Sequence, residues 1–151
     1  MLPDAVDNLN DEQKRLYISV LTAICAADGE LVREEMAALE QAMGRVLLHP
    51  EARNEIRQLL VNPPESSKFV ERLDEETARL VLRDGFVIAA CDGEYDENEL
   101  SILADVHAKT GLDDSVIERL IEWVEGQWVA WADGRSVVSS SILGDDAVLN
   151  S

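Results

Sequence analysis

Basic residues are scarce in this chain. Of its 151 residues, 13 are Lys or Arg and 31 are Asp or Glu, which gives a formal net charge of −18. The acidic excess is spread along the chain, since residues 1–75 hold 15 acids against 8 bases and residues 76–151 hold 16 against 5. Nucleic-acid phosphates and anionic lipid headgroups are bound by clusters of Lys and Arg. The composition therefore argues against nucleic acid and against anionic membrane surfaces as partners.

Long apolar runs, a secretory signal and abundant cysteine are also missing. No apolar run approaches the roughly 20 residues of a membrane span, so we expect no membrane-embedded segment. The amino terminus lacks the basic region and apolar stretch of a secretory signal, which predicts a cytoplasmic protein. The two cysteines, Cys25 and Cys91, lie in apolar helical segments, where reduced and buried thiols are typical. With 46% hydrophobic residues, the chain is still apolar enough to bury a core.

Strand signals are absent as well. No hairpin dipeptide separates two alternating runs, and apolar residues recur at spacings of three and four almost throughout. The sequence therefore predicts an all-α protein, a compact bundle of about six to seven helices. The predicted helices include residues 11–27, 33–47, 51–61, 75–91 and 115–132, with a short helical turn at residues 67–73.

Two of these helices carry side chains with a predicted position. The second helix places Met36, Leu39, Met43 and Leu47 on one apolar stripe. The last helix carries all three tryptophans, and their spacing predicts that at least one faces outward. We expect residues 1–133 to form the helical domain and residues 134–151 to form a C-terminal tail that docks on it or on a neighbour.

The chain contains an internal duplication. Shifting the sequence by 64 residues aligns residues 10–40 with residues 74–104 without a gap, and 10 of the 31 positions are identical. Two copies are too few for an open solenoid, so we expect two pseudo-symmetric units packed face to face through their apolar helices. Gly85 lies in the middle of the second apolar helix, where glycine costs about 1 kcal/mol relative to alanine. A close helix crossing at Gly85 would explain it.

The duplication is most faithful in an acidic turn. The two copies read DGELVREE at residues 28–35 and DGEYDENE at residues 92–99. A structural role accounts for part of each turn, because glycine lets a helix end at positive φ. Asp96 and Glu99 also stand in the order of a capping box, in which Asp96 accepts an N–H three residues on and Glu99 reaches back.

Capping leaves several carboxylates of the two turns without a role. The candidate metal ligands are Asp28, Glu35, Asp92, Asp96 and Glu99. The second half of an EF-hand loop fits the second turn, but the first ligand positions are apolar, so the turn is not an EF-hand. Clustered carboxylates favour a hard divalent cation, Ca²⁺ or Mg²⁺ rather than Zn²⁺. Three interpretations stay open: a cation site completed by water or by the other turn, a purely structural turn, and a surface for a basic partner.

The same residues resemble a known family. An Ala-rich helix that ends in Asp-Gly, followed by an acidic turn with Glu seven residues after the Asp, occurs twice. Over residues 10–125 this arrangement resembles the TerB-like family of tellurite-resistance proteins. The resemblance implies an all-α bundle of two pseudo-twofold repeats, with an acidic face for metal ions or interaction partners in tellurite resistance or stress response. The functional positions that it implies are Asp28, Glu35, Asp92 and Glu99. Asp96 belongs to the second copy alone, and the first copy departs from the polar cap at Val32.

Enzyme signatures are missing. There is no G-x-S-x-G, no Gly-rich phosphate loop and no H-E-x-x-H, and the two histidines, His49 and His107, are far apart in sequence. We therefore predict a binding module that is not an enzyme. Two alternatives stay open: a metal-free interaction or scaffold domain that recognises a basic partner, as in co-chaperones, and a metal-dependent hydrolase.

Overall fold

Seven α-helices and one short 3₁₀ helix make up the part of the chain described by the computed structural model, which covers residues 4–30, 32–91 and 93–139. No β-strand occurs in those ranges, so the predicted all-α bundle is confirmed. None of these helices is long and apolar enough to cross a membrane. The chain divides into two compact units, residues 1–112 and residues 113–151. After the 3₁₀ helix Ala5–Asn8, the helices are α1 (Asp11–Ala26), α2 (Arg33–Arg45), α3 (Pro50–Val61), α4 (Ser66–Val70), α5 (Glu75–Ala89), α6 (Glu97–Ala108) and α7 (Ser115–Val137).

Helix α1 lies at the centre of the first unit. Its residues 16–25 are all buried, and it packs against every helix from α2 to α6, most extensively against α5. The polar side chain of Thr22 is satisfied within the helix, because its Oγ1 donates to the carbonyl of Ile18 at 2.7 Å. A helix that is apolar on most sides has to be covered on most sides. The contact between α1 and α5 agrees with the predicted packing of the two apolar helices against each other.

The ends of α1 and α5 repeat the same local structure 64 residues apart. Asn10 caps α1 and Asp74 caps α5, and each side chain accepts the N–H three residues on at 2.9 Å. After the two helices, Gly29 and Gly93 adopt φ values of +78° and +87°. These φ values lie in the left-handed region, which glycine enters without steric cost. The local structure of the first copy therefore recurs in the second, while a pseudo-twofold axis between them stays a prediction.

Gly85 allows the close approach of α5 to its neighbours. A Cβ atom at this position would lie 2.7 Å from Cδ2 of Leu103 on α6 and 2.9 Å from Cδ1 of Ile24 on α1. Both distances are shorter than carbon atoms tolerate without a shift of the neighbouring side chain. The predicted close helix crossing at Gly85 is therefore confirmed.

A chain of charged groups ties the N-terminal 3₁₀ helix to the bundle. The hydroxyl of Tyr17 donates to the buried carboxylate of Asp84 at 2.5 Å, and Arg83 binds the same carboxylate through two N–H groups at 2.8 and 3.0 Å. Arg83 and Arg45 also hold Asp4, at 2.9 and 2.7 Å. Burial, and then the Asp84 carboxylate, raise the pKa of Tyr17, so its hydroxyl stays a donor. The network thus links α1, α2 and α5 with the segment before α1.

Helix α2 ends two residues before its predicted end. Leu47 takes a left-handed φ of +53°, and the N–H of Leu48 donates to the carbonyl of Met43 at 3.2 Å, which is the bond pattern of a Schellman motif. The side chain of Leu47 is 83% exposed. The predicted place of Leu47 on the buried stripe of α2 is therefore wrong, because the left-handed residue turns the chain out of the helix.

The described part of the second unit consists mainly of α7. This helix continues to Val137, five residues past the predicted end at Ala132, because Gly134 is tolerated inside the helix at a cost of about 1 kcal/mol. Its exposed side chains include all three tryptophans, Trp123, Trp128 and Trp131, at 41%, 46% and 74%. The prediction that at least one tryptophan faces outward is confirmed. The predicted docking of the tail falls mostly on residues 140–151, which lie outside the described residues.

Candidate functional site

Two glutamates at equivalent positions of the duplication meet in the core. Glu35 is the third residue of α2, Glu99 is the third residue of α6, and each is 2% exposed. Helix α2 packs against both α1 and α5, and so does α6. This packing brings the two carboxyl groups within hydrogen-bond contact of each other. Glutamate is almost never fully buried unless it is paired with a cation or another partner, so this contact is the outstanding chemical feature of the core.

The contact between the two carboxyl groups holds a proton. A carboxylate can only accept a hydrogen bond, so one member of the pair has to be protonated. Burial, and then the hydrogen bond and charge of Glu35, raise the pKa of Glu99 from 4.5 to about 8. Glu99 therefore carries the proton at neutral pH. Its Oε2 atom is buried and has no hydrogen-bond partner in the part of the chain that the structure describes, a situation that costs roughly 1–3 kcal/mol for a polar group.

Two further candidate ligands lie on the solvent side of this pair. Asp28 is exposed, and its Oδ1 accepts the N–H of Glu30 at 2.9 Å. Asp96 is half-buried and caps α6, accepting the N–H groups of Asn98 at 2.8 Å and of Glu99 at 3.3 Å. The negative charges of both aspartates contribute to the raised pKa of Glu99. Asp28 and Asp96 thus form the outer part of one acidic cluster.

The predicted capping box is half correct. Asp96 accepts the N–H of Glu99 as predicted, but the side chain of Glu99 turns into the core toward Glu35 and does not reach back to the helix start. In the first copy, Val32 occupies the capping position and makes no side-chain hydrogen bond to the helix. Capping therefore explains Asp96 and assigns no role to either glutamate.

The described residues supply only part of the predicted ligand set. Asp92, the fifth candidate, lies outside the described residues. Among the residues that are described, no three His, Cys, Asp or Glu side chains lie close enough to share a metal ion. The described chain thus brings two candidate ligands, Glu35 and Glu99, into direct contact and leaves Asp28 and Asp96 at longer range.

Cysteine chemistry does not contribute to this cluster. Cys25 is fully buried at the end of α1, and its Sγ donates to the backbone carbonyl of Glu35 at 3.8 Å. Burial, and then the carboxylate of Glu35, raise the pKa of Cys25, which keeps the thiol protonated. Cys25 is buried as predicted, whereas Cys91 is only half-buried, so the predicted burial is wrong for Cys91.

The sequence named both glutamates as candidates but did not predict their contact. The available signal was the identity of Glu35 and Glu99 across the duplication, at the third position of two equivalent helices. The network of Tyr17 and Asp84 was not foreseen, because both residues align with valine in the other copy.

Comparisons with models of protein families, with curated proteins and with solved structures found no match to this chain. The resemblance to the TerB-like family therefore stays a prediction.

Proposed function

We propose that this protein is an acidic helical module that binds one divalent cation at the buried pair of Glu35 and Glu99. The single observation that supports this most directly is the buried Oε2 atom of Glu99, which has no hydrogen-bond partner among the described residues. This atom would coordinate a divalent cation through a lone pair, and the cation would replace the proton that the pair holds. The cation's charge of +2 would balance the charge of −2 on the two ionised carboxyl groups.

The surroundings of the pair favour a hard cation. The donors are carboxylate oxygens, which suit Ca²⁺ and Mg²⁺, and Mg²⁺ in particular keeps several of its waters when it is bound by one or two carboxylates. Asp28 and Asp96 lie on the solvent side, where their charges attract a cation toward the pair. The thiol of Cys25 stays protonated, which disfavours a thiolate-bound Zn²⁺. In line with the TerB-like resemblance, we assign this binding to tellurite resistance or a related stress response.

Calorimetric titration of the metal-free protein with Ca²⁺, Mg²⁺ and Zn²⁺ tests the proposal. The wild type is expected to bind Ca²⁺ or Mg²⁺ at one ion per chain and to release a proton, which calorimetry detects by repeating the titration in buffers of different ionisation enthalpy. Glu99→Gln and Glu35→Gln should each weaken binding at least about tenfold, because a ligand bearing a formal charge is lost. The proposal is overturned if none of the three ions gives a heat of binding or raises the melting temperature.

Glu97→Gln provides the matched control. Glu97 lies two residues from Glu99 in the same helix and is exposed, so this variant removes the same charge without touching the buried pair. It should bind the cation with nearly wild-type affinity. Equal losses in the Glu97 and Glu99 variants would mean that the cation is attracted by the acidic surface alone.

A second candidate function is recognition of a basic partner protein. It is favoured by Glu30, Glu34 and Glu97, which are exposed near the two acidic turns and make no ion pair within the described residues. Replacing these three residues by Gln should then weaken binding of a Lys-rich test peptide, while Glu99→Gln should leave it unchanged. If Glu99→Gln weakens cation binding and the triple variant does not, the two functions belong to separate parts of the cluster.

A further inference from the structure

An open cavity lies at the other end of α1 from the pair of glutamates. It has a volume of about 360 Å³ and is formed by the start of α1, the segment after α2 and the start of α3. Small-molecule sites begin at roughly 300 Å³. Helix α1 has 16 residues and is therefore about 24 Å long, which separates this cavity from the acidic cluster.

The cavity is basic although the chain carries a net charge of −18. Its lining includes Lys14, Arg15 and His49, against the single acid Asp11. Lys14 is half-buried and makes no ion pair or hydrogen bond within the described residues through its ammonium group. Arg15 contacts Glu55 at 3.5 Å, but both side chains are mostly exposed, so this ion pair contributes little. Both cations are therefore available to an anion.

The start of α3 adds further donors. The Nδ1 atom of His49 accepts the N–H of Glu51 at 3.4 Å, which leaves Nε2 as the nitrogen of the imidazole that can donate to a ligand. His49 is the N-cap of α3 and Ala52 belongs to its first turn, and both line the cavity. The N-terminus of a helix is the positive end of its dipole and favours a bound anion.

One wall of the cavity is apolar. Its apolar lining consists of Leu48 and Ala52, which are buried, and of Leu47, whose side chain is exposed. Leu47 holds this place in a left-handed conformation that glycine would adopt without steric cost. The side chain of Leu47 thus lines the same cavity as Lys14 and Arg15 although the backbone of Leu47 is strained.

We propose that this cavity binds a small carboxylic acid with a short apolar tail. Its carboxylate would lie among Lys14, Arg15 and the imidazole of His49, and its tail would cover the leucine wall. The lining bears two permanent cations and one carboxylate, which matches a monoanion better than the dianion of a phosphate ester. The proposal is independent of the cation site, since it involves none of the same residues.

Nuclear magnetic resonance of the full ¹⁵N-labelled chain tests this with hexanoate as the probe. Hexanoate is expected to cause saturable shifts in residues 11–15 and 47–52. Acetate has the same charge without the tail, and hexanol has the same tail without the charge. Each should bind at least about tenfold more weakly than hexanoate, because each lacks one of the two contacts. Absence of saturable shifts in these residues, or equal binding of hexanol or inorganic phosphate, would overturn the proposal.

Variants separate binding from folding. Lys14→Glu should weaken hexanoate binding about tenfold or more. Lys68→Glu makes the same change of charge at an exposed position of α4 and should leave hexanoate binding unchanged. Leu47→Gly should weaken binding, because it removes an apolar side chain from the cavity lining. It should also raise the melting temperature, because glycine adopts the left-handed φ of this position without strain. Unchanged affinity in the Lys14 variant would refute the assignment.

Discussion

The buried pair of glutamates predicts how stability changes with pH. The folded protein raises the pKa of Glu99 from 4.5 to about 8, and the unfolded chain does not. A carboxyl group of this kind favours the folded state fully below its unfolded pKa, and the contribution is lost as pH rises toward the folded pKa. We therefore expect the free energy of unfolding of the cation-free protein to fall between pH 4.5 and pH 8.

The size of this loss follows from the two pKa values. Each pH unit between them costs about 1.4 kcal/mol, so Glu99 alone accounts for roughly 3 kcal/mol between pH 4.5 and pH 7. Three carboxylates act on this group: Glu35 on α2, Asp28 after α1 and Asp96 at the start of α6. All three carry the same sign of charge, so none of them reverses the direction. A loss of this size is a large part of the total stability of a small domain.

Urea unfolding of the cation-free protein at pH 5 and pH 7.5 measures this loss. Glu99→Gln cannot ionise, so the variant should lose about 3 kcal/mol less than the wild type between the two pH values. Glu97→Gln, which removes an exposed charge from the same turn, should follow the wild type. If the wild type and the Glu99 variant lose stability in parallel, the two glutamates do not share a proton in the folded protein, and the reasoning fails.

Three further predictions concern the stability of the fold, and each is tested by chemical denaturation at pH 7. Gly85→Ala should destabilise the protein by about 1–3 kcal/mol, because the added methyl group overlaps side chains of α1 and α6, whereas Gly126→Ala in open space on α7 should stabilise it by up to about 1 kcal/mol. A Gly85 variant as stable as the wild type would contradict the close crossing. Tyr17→Phe should cost about 1–3 kcal/mol, since it removes a hydrogen bond to the buried carboxylate of Asp84, and no loss would show that Arg83 alone satisfies that group. Leu47→Gly should stabilise the protein by about 1 kcal/mol through relief of its left-handed φ, and a loss of stability would mean that the exposed leucine packs on a neighbour.

Local features of the fold were predictable because they depend on neighbouring residues. Gly29 at positive φ and the burial of the apolar α1 segment both follow from short patterns of polarity and turn chemistry. Gly85 was predictable for a different reason, since glycine inside an apolar helix needs a compensating contact. The exposed position of Leu47 was not, because a Schellman motif with leucine in place of glycine has no sequence signal of its own.

The site was predictable as a set of residues but not as an arrangement. The duplication identified the acidic turns, and the spacing within each turn identified Glu35 and Glu99. Whether the two glutamates touch depends on how α2 and α6 pack around α1 and α5, which is a contact between residues 64 positions apart. The basic cavity is also non-local, since Lys14 and His49 come from different helices and neither belongs to a motif.

The identity of Glu35 and Glu99 across the duplication is a second argument for a bound cation. Equivalent core positions of the duplication can hold apolar residues at no electrostatic cost, as Leu39 and Leu103 do, and both of these are buried. At the glutamate positions two acids are in contact instead, and without a cation the pair has to hold a proton, because two buried carboxylates would repel each other. The two copies differ at 21 of their 31 aligned positions, yet both keep the acid here. A stable core does not require two acids in contact, whereas the carboxylate oxygens that they present are the ligands that a hard divalent cation prefers.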